Sequence, residues 1–249
     1  MKAELKEGFL DLWKKYFGEA ELPITFFYSD ETGDAETAMK PKGRSCIICE
    51  LKKVRDGRSV AYNEEAVVCG GGKRYLGFTD TMRPGFEYFL SCGNDSMEGE
   101  RYIRTPEMVK EIMNNLTPVP VEGRYIIFKR WDKLQENDNP DVVIFFARPD
   151  VLSGLYTLAN FDQTDPNGTI VPFGSGCGSI VRHPYMESRS ERPRAVIGMF
   201  DPSARPCVTA DTLTFAVPLK RFEKMIGYME ESFLVTETWT RLKKRIDSK

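Results

Sequence analysis

The chain has 249 residues, of which 41% are apolar and 12% aromatic, enough to bury a sizeable core and unlike a disordered chain. Its 35 basic and 37 acidic residues nearly cancel to a net charge of −2, with no basic stripe, which disfavours nucleic acid as a partner. No apolar run approaches the roughly 20 residues that span a bilayer, so the sequence reads as cytoplasmic with no membrane span.

Residues 2–17 place Leu5, Phe9, Leu12, Trp13 and Tyr16 at helical spacing among charges. That pattern predicts an amphipathic helix and not a signal peptide, which needs an unbroken apolar stretch. Gly18 and Pro23 end it, and Ile24 to Tyr28 reads as a short aromatic strand. Residues 29–42 are polar and aperiodic, a loop. A helix is expected over 44–56, stopped by Gly57, with Cys46, Cys49 and Lys53 on one side. A strand over 65–69 is expected to run into Gly70, Gly71 and Gly72. A short helix closed by Gly93 follows, and Thr105 with Pro106 starts another that runs to about Leu116: a capping hydroxyl, then proline at the first helical position. The connector 117–123 separates two subdomain-like halves of one domain, 1–117 and 124–249.

In the second half, 124–131 and 141–147 are strands parted by a polar turn. A helix over 149–161, a strand over 169–173, and a cysteine–glycine turn leading to a helix near Ser179 come next. Strands at 194–200 and 212–217 precede helices from 218 to about 233 and from 237 to 246. Strands and helices alternate only roughly, with several hairpin-like pairs. The expected fold class is therefore α+β, with a mixed or largely antiparallel sheet and flanking helices. "ITFFYSD" and "VIFFARPD" each lead through a helix to a cysteine–glycine turn, which suggests an internal pseudo-repeat.

The chemistry gathers at the cysteines and the glycines beside them. Six cysteines in a chain of this size do not read as a disulfide framework; they are buried side chains, metal ligands or redox groups. Cys46 and Cys49 form a C-x-x-C whose i, i+3 spacing points both sulfurs the same way on a helix. With Cys69 and Cys177 at the two glycine turns they make a four-thiolate candidate set for a metal or an iron–sulfur cluster. A dithiol redox pair, with Cys46 near a helix N-terminus, is another use of the same residues. So is plain burial, since unpaired cysteine is among the most interior residue types.

Gly70, Gly71 and Gly72, followed by Lys73 and Arg74, could instead cradle a small anionic ligand, with Gly176, Gly178 and Ser179 as a second lining. Neither turn keeps the spacing of a phosphate-binding Walker loop, and "GSGCGS" does not keep that of a nucleophile elbow. His183 is the sole histidine, six residues after Cys177, so thiol or acyl chemistry at Cys177 would have to use it as base. The partners consistent with these readings are a small anionic ligand or a redox partner.

These turns, together with "FFARPDVLSGL" and "ADTLTFAVPLKRFEKM", resemble the uncharacterised ArCR family, domain-of-unknown-function family 169. The matching positions are Cys46 or Cys49, Cys69-Gly70-Gly71-Gly72, Leu76-Gly77-Phe78, Pro149-Asp150, Cys177-Gly178, and Phe215 with Pro218. The resemblance brings no established reaction. It implies that Cys69 and Cys177 belong to one shared site.

Overall fold

The computed structural model describes residues 1–43 and 45–248. In chain order, α1 (Ala3–Phe17) leads to β1 (Ile24–Ser29), β2 (Glu36–Thr37), the helical turns α2 (Ile47–Glu50) and α3 (Lys52–Arg55), β3 (Val60–Tyr62), α4 (Gly70–Tyr75) and α5 (Phe86–Leu90). A small hairpin, β4 (Gly93–Asn94) with β5 (Met97–Glu98), precedes α6 (Pro106–Asn115). Then come β6 (Tyr125–Arg130), β7 (Val142–Ala147), α7 (Pro149–Leu158) and β8 (Thr169–Ile170). A π-helical turn, Gly178–Arg182, runs into α8 (His183–Glu187), and β9 (Ala195–Gly198), β10 (Leu213–Pro218), α9 (Leu219–Tyr228) and α10 (Glu237–Asp247) follow. Arg44, where the expected 44–56 helix begins, lies outside the described residues.

Eight strands form one sheet in the order β2-β3-β6-β1-β7-β10-β9-β8. The central pairings are antiparallel, and the two edge pairings, β2 with β3 and β8 with β9, are parallel. This is the mixed sheet of an α+β fold.

Both faces of the sheet are covered, and β7 shows why: it is apolar at every position. Val142, Ile144 and Phe146 enter one core, and Val143, Phe145 and Ala147 the other. The second core is closed by α1, α7, α9 and α10, through Phe9, Trp13, Phe17, Leu155, Phe222 and Trp239. Trp13 stacks on Phe17 with ring centroids 4.2 Å apart. Each such burial is worth about 1.5–3 kcal/mol, so this layer anchors the sheet. The first core is closed by α2, α3, the segment before α4, and the π-helical turn with α8, through Ile47, Ile48, Leu51, Val67, Ile180 and Tyr185. All the residues discussed next lie on this side.

Three expectations differ from the fold. The strand at 65–69 is absent; β3 ends at Tyr62, and Asn63 Oδ1 then accepts the Ala66 N–H at 3.0 Å in a turn. Val67 is buried from this irregular segment, and the glycine triplet becomes the first turn of α4. The strand at 169–173 stops at Ile170, leaving Val171 and Phe173 exposed. Finally, β6 and β7 are not partners, because β1 inserts between them, pairing Phe26 with Phe128 on one side and with Val142 on the other. β7 runs directly into α7, whereas β1 is followed by a loop and β2, and no pseudo-repeat is shown. No helix among the described residues is long and apolar enough to cross a membrane.

Candidate functional site

Four segments meet at one end of the first core: α2, the start of α4, the turn 175–179, and the β9–β10 connection from Met199 to Thr212. Gly176 is the wedge between them. A Cβ there would stand 2.9 Å from Ala204 Cβ, 3.2 Å from Met199 Sδ and 3.4 Å from Ile48 Cγ1, so any side chain would push the walls apart. Its N–H donates to Asp201 Oδ2 at 3.1 Å, while Asp201 Oδ1 accepts from the Ser203 N–H at 3.0 Å and its hydroxyl at 2.7 Å. Asp201 thus turns its own loop and clamps the cysteine–glycine turn at once. Met199, buried in this wall, has φ of 70°, a left-handed conformation that costs a non-glycine residue about 1–3 kcal/mol. Gly176→Ala is expected to destabilise the fold by about 1–3 kcal/mol, read by urea denaturation. An unchanged midpoint would mean the wedge is not tight.

The cysteines fall into two groups. Cys49 and Cys207 are joined by a disulfide with Cα atoms 4.6 Å apart, across a sequence separation of 158. This corrects the expectation that the cysteines contain no structural pairing, and it takes Cys49 out of the four-thiolate set. Cys49 is exposed and Cys207 half-buried. The other four are free: Cys46 half-buried, Cys69 and Cys92 exposed, Cys177 buried. Burial pushes the Cys177 thiol up to about 12, against the Ser175 hydroxyl, which lies 3.3 Å from its sulfur; charge on Cys69, Cys46 or Asp201 would raise it further. Burial likewise raises Cys46, opposed by the N–H groups of Ile48 and Cys49 and reinforced by Cys69 and Asp201. Cys46, Cys69 and Cys177 are therefore within one another's electrostatic reach, and Cys92 is not among their partners. Among the described residues, no three His, Cys, Asp or Glu side chains are grouped to hold a metal ion.

Lys73 and Arg74, the cations beside the glycine triplet, both have partners within the chain. Gly70, Gly71 and Gly72 are helical; the Gly72 N–H donates to Cys69 Sγ at 3.5 Å and the Lys73 N–H to the Cys69 carbonyl at 2.8 Å. Lys73 pairs with Glu64 at 3.2 Å, and Arg74 is drawn toward α6, where it donates to the Met113 carbonyl at 3.1 Å and to that of Asp80. Ser179 is buried under β9: a Cβ on Gly198 would fall 2.1 Å from its hydroxyl, which donates to the Gly176 carbonyl at 2.8 Å. Gly178 packs beside Tyr75, with a built Cβ 3.5 Å from the ring.

No hydrogen bond joins His183 to Cys177 among the described residues; the Cys177 sulfur has the Ser175 hydroxyl as its partner. The charges that act on His183 are those of Arg182 and Glu187, and its Nε2 lies 3.8 Å from a Cβ built on Gly174. Burial, then Arg182, pushes it down to about 4 from the usual 6.5. The unfolded chain thus binds more protons between about pH 6.5 and 4, so this contribution to stability is present above 6.5 and lost as pH falls through that window. His183→Gln is expected to lessen the loss between pH 6.5 and 4 by up to about 3 kcal/mol, measured by denaturation at each pH. Identical pH profiles would contradict it.

A separate cavity of about 310 Å³ opens at the far end of β7, lined by Arg55, Arg148, Asp150 and Thr209 among others. Its charges are already matched within the chain: Arg55 with Glu21, Arg148 with Asp211, and Asp150 with Arg245.

Sequence reasoning missed Asp201 and Cys207. The Asp-Pro-Ser run signals a turn, but nothing local in it points to Gly176, and no spacing ties Cys207 to Cys49. Searches of curated proteins and of solved structures each returned no match. The sequence profile of one family, described as uncharacterised ArCR (DUF169), matches residues 16–227, and the chain belongs to that family.

Proposed function

We propose that this is a thiol–disulfide redox protein whose working couple is Cys49–Cys207. The observation that carries the reading is an exposed disulfide set beside free thiols at a strained, glycine-wedged junction. Disulfides resistant to reduction are usually sequestered, whereas exposed ones tend to be the labile, regulatory or catalytic kind. In a reducing compartment a bond of this sort forms transiently, in catalysis or sensing.

The chemistry is two-electron exchange with an external dithiol. One donor thiolate attacks the exposed Cys49 Sγ, the bond to Cys207 breaks, and Cys207 departs as thiolate and takes up a proton. The donor's second thiol then displaces Cys49, leaving a donor disulfide and two protein thiols. The reverse sequence oxidises a substrate dithiol. Cys177 is buried and so closed to an external dithiol, unlike the exposed Cys49.

Counting alkylated cysteines by mass spectrometry of acid-quenched native protein tests this. Dithiothreitol is expected to expose two further thiols, glutathione disulfide to remove them again, and Cys49→Ser to abolish the cycle. A bond that opens only in denaturant would overturn the reading.

A further inference from the structure

The couple described above leaves Cys46 unassigned, although it stands closest to it in the chain. Cys46 is the residue that caps α2, with extended backbone (φ −98°, ψ 131°), and Cys49 lies one helical turn on. Burial raises the Cys46 thiol, and the neighbouring N–H groups of Ile48 and Cys49 offset part of that rise. Cys46 and Cys207 both pack against the same core cluster that buries Cys177. Cys49 therefore has a bonded sulfur arriving from the β9–β10 connection and an unbonded one rooted in its own turn. The C-x-x-C spacing is that of dithiol–disulfide redox motifs.

We propose that Cys46 is the exchange thiol of this site. Its thiolate attacks Cys49 Sγ, a Cys46–Cys49 bond forms, the Cys49–Cys207 bond breaks, and Cys207 leaves as thiolate and collects the proton that Cys46 gave up. No electrons are gained or lost, so the step needs no outside reagent. It rests on the redox reading above and extends it to a substrate class. A monothiol joined to Cys49 carries no second sulfur with which to leave. Cys46 clears it by the same attack, expelling the monothiol and closing Cys46–Cys49. The exchange also moves the covalent staple from two segments 158 residues apart to a single turn. The connection carrying Asp201 is thereby released from α2.

The test uses the full chain as Cys207→Ser, with Cys49 loaded by 2-nitro-5-thiobenzoate and followed by peptide mass mapping. The adduct is expected to vanish as a Cys46–Cys49 disulfide appears, and to last at least about tenfold longer in Cys46→Ser/Cys207→Ser. Equal lifetimes, or clearance through Cys69 or Cys177, would overturn the assignment. If the variants do not fold, wild-type protein poised in glutathione buffers decides: a Cys46–Cys49 peptide at intermediate potential supports the exchange, and its absence at every potential refutes it. Failure of this inference is distinct from failure of the couple. In the first case Cys49–Cys207 still opens and closes; in the second it does neither.

Discussion

Reduction of Cys49–Cys207 is expected to lower the unfolding midpoint by about 5–15 °C while leaving the chain folded. The bond closes a loop of 158 residues. The chain-entropy model assigns about 5 kcal/mol to a loop of that length, and measured disulfides deliver about 2–4 kcal/mol. At about 2–4 °C per kcal/mol for a chain of this size, the stated shift follows. The fold should survive because both cores are built from side chains that do not depend on the bond, the more aromatic one lying on the opposite face of the sheet. Cys207→Ser should give the same shift without reductant and no further shift with it, since both remove one staple. Scanning calorimetry of the two proteins, with and without dithiothreitol, makes the comparison. Additive shifts, or none, would show that the bond does not fasten α2 to the β9–β10 connection.

Lys129→Ala is expected to cost about 3–5 kcal/mol, for a reason unrelated to sulfur. Lys129 lies in β6 with 1% of its surface exposed. Its ammonium donates to both oxygens of Asp138, at 2.9 and 2.7 Å, and also to Asp34 Oδ1. Asp138 is itself buried and accepts the Gln135 N–H at 2.7 Å, so it cannot swing out to water when its partner is removed. An orphaned buried carboxylate is the expensive outcome; an apolar stand-in for the pair is not. Lys129→Met/Asp138→Asn should therefore recover most of the loss, because the asparagine oxygen still accepts from Gln135. An exposed pair such as Lys52 with Asp56, 2.8 Å apart, gives the comparison, and its removal is expected to be far milder because solvent screens it. Urea denaturation reads all three. If Lys129→Ala proves as mild as removal of the exposed pair, the cluster is not sealed from solvent.

Much of the architecture is written locally. The apolar runs at 24–28, 125–130 and 142–147 are strands because β-branched and aromatic residues fill them without a helical break. Thr105 caps α6 by accepting the Met108 N–H at 3.3 Å, as its position before proline implies. The failures come where tertiary context decides. Val67 and Val68 look like a strand, yet they join no sheet among the described residues, and the Val67 N–H donates locally to the Glu64 carbonyl at 3.4 Å. Val67 packs instead against Gly72, 3.2 Å from a built Cβ, and that contact helps α4 start on three glycines. The order of the central strands depends on β1 crossing between two later strands, which no hairpin signal encodes.

The site divides along the same line. The C-x-x-C and the glycine turn at Cys177 mark themselves by composition, and the structure sets both of them on the first core. The Cys49–Cys207 bond is a long-range fact, and connectivity among six cysteines does not follow from their spacing. Lys73 and Arg74 look like ligand cations next to three glycines. Only the positions of Glu64 and α6 reveal that both are already engaged.

The midpoint potential of the native protein addresses the redox couple most directly, measured by alkylatable-thiol count across dithiothreitol buffers of defined ratio. The account predicts one two-electron transition above about −300 mV, in which a single disulfide at Cys49, shared with Cys207 or with Cys46, opens to two thiols while Cys69, Cys92 and Cys177 stay alkylatable throughout in the unfolded quench. A bond that holds below that potential until the protein unfolds, or six free thiols at every ratio, would contradict it.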